Sequence, residues 1–145
     1  MALGLISMLW LVSGPQTLGG LTLDVNTLVY CGAAIVCGYQ GVVFSLFAKV
    51  FTIDAGLLPD DPKVMRMVRI FSVELGIIVG AFLLLAGLGA SLYAVGYWGS
   101  AAFGDLDPAQ SLRIVIPGAT ALVVGLQTIF SSFFLGVLGL GTKKV

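Results

Sequence analysis

Three apolar runs, each 25 to 28 residues long, dominate this sequence: Thr27 to Phe51, Val73 to Gly99 and Arg113 to Leu140. A helix of about 20 such residues crosses a bilayer. Each run is therefore long enough, and a water-soluble fold would have to bury all three at once. The rest of the chain cannot cover them. Of the 145 residues, 59% are hydrophobic and 10% charged, with a mean hydropathy of +1.10. Soluble domains carry about 25% charged residues. These numbers exclude a soluble enzyme, a nucleic-acid binder and a disordered tail. They predict an all-α integral membrane domain occupying residues 1–145 as one unit.

A fourth apolar stretch, residues 2–12, is too short to cross and ends at Ser13-Gly14-Pro15. It lacks the basic start of a signal peptide, so it reads as the outer half of a first span whose beginning is absent. The expected spans are about 2–12, 27–51, 73–99 and 113–140. Asn26 is the expected N-cap of the second. Asp107-Pro108-Ala109-Gln110 reads as a capping-box variant ahead of the fourth, with proline at N1, so that helix can begin in the interface. Between the second and third spans, Leu57-Leu58-Pro59-Asp60-Asp61-Pro62 reads as a turn and a helix start. Asp60 and Asp61 suit capping, not a metal site, because no third ligand accompanies them. An amphipathic interfacial helix is expected over about 62–71, with Val64, Val68 and Phe71 on one face and Lys63, Arg66 and Arg69 toward the other.

The basic residues orient the chain. Lys49, Lys63, Arg66, Arg69, Lys143 and Lys144 fall on one side of the expected spans, and only Arg113 borders the other. By the positive-inside rule both termini and the central loop are cytoplasmic. Trp10, Tyr30, Tyr93, Tyr97 and Trp98 fall at the outer helix ends, as an aromatic belt would.

The two halves resemble each other. Gly38-Tyr39-Gln40 through Phe47 aligns without gaps on Gly125-Leu126-Gln127 through Phe134, at an offset of 87. The first and third spans align more weakly at an offset of 83, pairing Gly4-Leu5 with Gly87-Leu88 and Leu9-Trp10 with Leu92-Tyr93. Two spans per half keep their orientation, so this would be a parallel repeat about an axis along the membrane normal. Chance similarity between Gly/Phe-rich runs is the competing explanation. The repeat places the start of the first span about ten residues ahead of Met1, as a full-length unit requires.

Few residues are available for chemistry. With no histidine, a histidine base, a Ser-His triad and a His-ligated metal are excluded, and two cysteines build no zinc site. Neither catalytic residues, nor a metal, nor a cofactor is expected. Gln40 and Gln127 are the informative polar residues: 14 positions beyond Asn26 and Arg113, each is about 21 Å deep. Buried polar packing is their expected role, with mutual pairing as one hypothesis. Gly76, Gly80, Ala86, Ala90 and Ala94 on the third span form one expected close-packing stripe. Gly32, Ala33, Gly38 and Gly41 form the other, on the second span. Cys31 and Cys37, six apart on one helix, are expected to pack rather than bridge. Glu74 sits in the first turn of the third span, where the helix dipole favours it, and within reach of Lys49 at the same boundary.

Gly38-Tyr39-Gln40, Leu46-Phe47-Ala48-Lys49, the central loop Gly56 to Pro62, and Leu126 to Phe134 together resemble the C-terminal membrane region of bacterial family 2 glycosyltransferases, similar to dolichol-phosphate mannose and glucose synthases. The resemblance implies a cytoplasmic GT-A domain that transfers a sugar from a nucleotide to a polyprenyl phosphate. No residue here matches that domain. What carries over is the anchoring half: helices flanking the lipid tail, and a basic surface of Arg66, Arg69, Lys63 and Lys49 near its phosphate. The implied setting is a bacterial cytoplasmic (inner) membrane. The implied partners are membrane lipid, including polyprenyl phosphate, and either a missing N-terminal catalytic domain or another protein chain; nucleic acid is not among them. Two alternatives remain: a non-catalytic subunit of a larger membrane complex, and a small four-span flippase of lipid-linked sugars, with Gln40, Ser45, Gln127, Thr128 and Ser132 lining a cavity.

Overall fold

The computed structural model describes residues 1–59, 73–100 and 107–141. Its helices are α1 (Ala2–Val12), α2 (Val25–Asp54), α3 (Val73–Ser100) and α4 (Pro108–Gly141), with a hairpin of β1 (Gln16–Leu18) and β2 (Leu21–Leu23) joining α1 to α2. α2, α3 and α4 are long and apolar enough to cross a membrane, and α1 is not. The chain is a multi-pass membrane domain of the expected all-α class. The expected interfacial helix, with Lys63, Arg66 and Arg69, lies outside the described residues.

Local chemistry sets the ends. β1 and β2 pair antiparallel, Gln16 opposite Leu23 and Leu18 opposite Leu21. Gly19 and Gly20 turn the chain with φ of 56° and 88°, as a two-residue turn with two positive φ values requires. A Gly-Gly pair between alternating residues is the hairpin signal in the sequence here. At the far end of α2, Gly56 adopts φ 70°. Its N–H donates to the Ile53 carbonyl at 3.0 Å, and that of Leu57 donates to the Thr52 carbonyl at 3.0 Å. This is a Schellman stop, and it carries α2 three residues past the expected end. α4 starts where the capping signal placed it, with the Ala109 N–H donating to Asp107 Oδ1 at 3.0 Å. Gln110 does not complete the box, because Tyr97 Oη donates to its Oε1 at 3.3 Å.

α3 and α4 pack backbone to backbone. A Cβ on Gly87 would stand 2.6 Å from the Gly118 carbonyl oxygen, and one on Gly80 would stand 2.7 Å from that of Gly125. Gly76 faces Ser132. Gly80, Gly87 and Ala94 are buried at a spacing of seven, and Gly118, Gly125 and Ser132 repeat it on α4. The expected stripe through Ala86 and Ala90 is corrected to Gly87: Ala86 is exposed and Ala90 half-buried. A four-residue repeat walks around a 3.6-residue helix, whereas a seven-residue one holds its face. On α2 the expected stripe shrinks to Gly32 and Gly38, since Ala33 is exposed and Gly41 meets nothing within 4 Å. Cys31 is buried and Cys37 exposed, and neither is bridged.

The structure repeats the same contacts in both hairpins. A Cβ on Gly4 would meet the Cys31 carbonyl oxygen and Ile35; one on Gly87 would meet the Gly118 carbonyl oxygen and Leu122. Gly38 faces the Met1 nitrogen as Gly125 faces that of Leu84. These pairs obey the offsets of 83 and 87. α1 therefore lies along α2 between Gly38 and the β-hairpin. One apolar cluster of Met8, Leu11, Leu28, Cys31 and Ile35 fills the hairpin end. A second, of Val50, Ile53 and Leu135, fills the other. Large apolar side chains elsewhere, such as Phe82, Leu85, Phe130 and Val137, are exposed, as the lipid-facing surface of a membrane bundle would be.

Candidate functional site

The α2–α4 seam collects the polar side chains. These helices run parallel, so repeat-equivalent residues meet across the axis. Gln127 Nε2 donates to Gln40 Oε1 at 2.9 Å. Seven residues on, the rings of Phe47 and Phe134 lie 4.6 Å apart at 56°, a tilted pairing favoured by the ring quadrupoles. The two glutamines thus find each other, but not in a sealed core. Gln40 is exposed on the bundle surface and Gln127 is half-buried. Gln127 Oε1 is buried and accepts no hydrogen bond.

At the hairpin end the seam is tied by an ion pair absent from the sequence reading. Arg113 Nη2 donates to Asp24 Oδ1 at 2.5 Å. Asp24, not Asn26, is the N-cap residue of α2, and its side chain makes no capping bond, because Arg113 takes its carboxylate. The Arg113 side chain is 17% exposed and that of Asp24 37%. Eighty-nine residues separate them, so no local spacing signals the pair. The one available hint was a lone arginine opening an apolar run.

The hydroxyls of the seam serve their own helix. Thr120 donates to the Ile116 carbonyl at 2.8 Å, Thr128 to that of Val124 at 2.7 Å and Ser132 to that of Thr128 at 2.8 Å. Thr128 and Ser132 are buried. Of the residues that the flippase alternative assigned to one polar cavity, Ser45 is exposed on α2. Lys49, also exposed on α2, lies two turns beyond Gln40. The other expected basic residues, Lys63, Arg66 and Arg69, lie outside the described residues. Among the described residues, no three of Asp, Glu, Cys or His come together as metal ligands would.

The geometry is that of a bundle of membrane-spanning helices, and the similarity to known proteins agrees. Residues 46–139 match the glycosyltransferase family 2 C-terminal transmembrane region. That is about two thirds of the chain, and it covers the C-terminal part of α2, the central loop, α3 and nearly all of α4. The chain belongs to this family. It is also similar to the low-salt glycan biosynthesis hexosyltransferase Agl6 of Haloferax volcanii, 28% identical over 137 residues. The alignment takes in 94% of this chain and 32% of the relative. The chain thus spans about a third of the length of the curated relative it matches. No solved structure matches the chain. The family model describes the C-terminal transmembrane region of these glycosyltransferases.

Proposed function

We propose that this domain anchors a glycosyltransferase catalytic domain at the membrane and holds the lipid carrier beside it. The observation that carries the reading is the family match over residues 46–139, taken with a hexosyltransferase relative of which this chain corresponds to only about a third. The α3–α4 seam of glycines supports it, since a rigid backbone-to-backbone hairpin suits a scaffold better than a moving transporter. Thr128 and Ser132 argue the same way, because both are buried and donate to carbonyls of their own helix.

In this reading Lys49, Lys63, Arg66 and Arg69 form a basic rim on the cytoplasmic side, where polyprenyl phosphate presents its headgroup. Each basic residue near an anionic surface contributes about 1 kcal/mol. The setting is a cytoplasmic membrane with both termini inside. The partner is a catalytic domain, on the same polypeptide or another, that supplies the acidic metal-binding motif. The decisive experiment is photo-crosslinking of an azide- or diazirine-bearing polyprenyl phosphate to the domain in vesicles. Crosslinks are expected near the rim, and the triple variant K63Q/R66Q/R69Q should reduce them at least tenfold. Crosslinking that is unchanged in the triple variant sinks the carrier-holding role. Membrane-impermeant thiol labelling of the Arg66→Cys variant tests the sidedness, with protection expected in intact right-side-out cells.

A further inference from the structure

The β-hairpin between α1 and α2 has two unlike faces. Side chains alternate along a strand, and the register sets Gln16, Leu21 and Leu23 on one side and Thr17 and Thr22 on the other. Leu23 is half-buried and packs against the cluster of Met8, Leu11, Leu28, Cys31 and Ile35. The leucine face is therefore the one turned toward the helices. Leu21 lies on that same face, about 6.6 Å nearer the tip, and is 71% exposed. Thr17 and Thr22 are exposed on the opposite face. No residue from Ser13 to Leu23 is charged.

The neighbouring helix surface says what meets the overhanging leucine. Leu9 on α1 and Val29 on α2 are exposed beside the hairpin, as part of the surface that the bundle presents to lipid. Trp10 and Tyr30, also exposed, are of the type that gathers where hydrocarbon gives way to headgroups. The leucine face thus continues a lipid-facing surface at the level of an aromatic belt. We propose that the β-hairpin lies on the bilayer at this end of the bundle, with Leu21 in the interfacial zone and Thr17 and Thr22 toward water. The backbone limits the depth. Among the described residues the sheet has two strands, and each keeps outward N–H and C=O groups unpaired. Those groups need water, so the ribbon cannot sink into the hydrocarbon. Two such short strands are marginal in water by themselves, and the bilayer adds the apolar support that a solvated hairpin lacks. This surface uses neither the carrier nor the basic rim, so a failure of one proposal leaves the other standing.

The test is electron paramagnetic resonance of the full chain in phosphatidylcholine vesicles, with a nitroxide on Leu21→Cys or on Thr22→Cys in a Cys31→Ala/Cys37→Ala background. Both labelled positions are exposed, so neither label disturbs the core. Collisions with dissolved oxygen report lipid, and collisions with a water-soluble nickel chelate report water. The oxygen-to-nickel ratio should be at least fivefold higher at position 21 than at position 22. Equal ratios, with nickel reaching both labels freely, describe a hairpin standing clear in water and overturn the proposal. Shielding of position 21 from both reagents also overturns it, because protein then covers Leu21 in place of lipid. Where the background without cysteines does not fold, quenching by dibrominated phosphatidylcholine gives the same comparison. Leu21→Trp in a Trp10→Phe/Trp98→Phe chain should be quenched at least twice as strongly as Thr22→Trp, and equal quenching overturns the proposal.

Discussion

Adding one methyl group to α3 should have opposite effects two residues apart. At Gly87 a Cβ would sit 2.6 Å from the Gly118 carbonyl oxygen, 2.7 Å from the Leu122 nitrogen and 2.8 Å from Leu122 Cγ. Two of these three atoms are backbone, so no rotamer change relieves the overlap and α3 must move away from α4. Overpacking of this kind costs about 1–3 kcal/mol. At Gly89 nothing lies within 4 Å. There the methyl only removes the backbone freedom of glycine, which favours the helix by about 0.5–1 kcal/mol. That helix gain applies at both sites and cancels in the comparison. Gly87→Ala should therefore be less stable than Gly89→Ala by about 2 kcal/mol, roughly thirty-fold in the folding equilibrium. Reversible unfolding of both variants in mixed micelles, followed by far-UV circular dichroism, measures the gap. Equal stability, or a more stable Gly87→Ala, would refute the backbone-contact seam.

Three further outcomes follow from the polar pairs and from the packing of α1 on α2. In a double-mutant cycle of Gln40→Leu and Gln127→Leu, unfolding measurements should give a coupling energy near the membrane average of about 0.6 kcal/mol; strictly additive losses would mean that the 2.9 Å bond contributes nothing. Asp24→Ala should cost about 1 kcal/mol, well short of the penalty for a fully buried pair because Asp24 is 37% exposed. Hydrogen exchange should then quicken across Gln16–Leu23, and exchange equal to wild type would show that the ion pair does not hold the hairpin. Gly4→Ala should destabilise less than Gly87→Ala in the same unfolding assay, because its nearest contact is 3.0 Å against 2.6 Å.

Much of this architecture is legible in the residue order, and the physical reason is the solvent. Lipid offers no partner to a free N–H or C=O, so a 25-residue apolar run has helix as its one economical state. That is why the spans at 27–51, 73–99 and 113–140 lie within or close to α2, α3 and α4, and why Asp107-Pro108 marks the start of α4. The offsets of 87 and 83 are visible as letters, and they foretell which residues meet: Gln40 with Gln127, Phe47 with Phe134. The β-hairpin is marked in the sequence too, by Gly19-Gly20 between alternating residues.

What required the tertiary structure is contact at long range and the choice of face. Nothing near Asp24 or Arg113 signals a partner 89 residues away, and Asn26 is as good a cap as its neighbour until Arg113 arrives. Ala86 and Gly87 are equally small, and only the position of Gly118 decides which of them is buried. Sequence alone determines that this chain enters lipid as helices, because backbone hydrogen bonding there is satisfied locally. Which sides of those helices touch was decided only by packing in three dimensions, since close approach depends on atoms that no neighbour along the chain supplies.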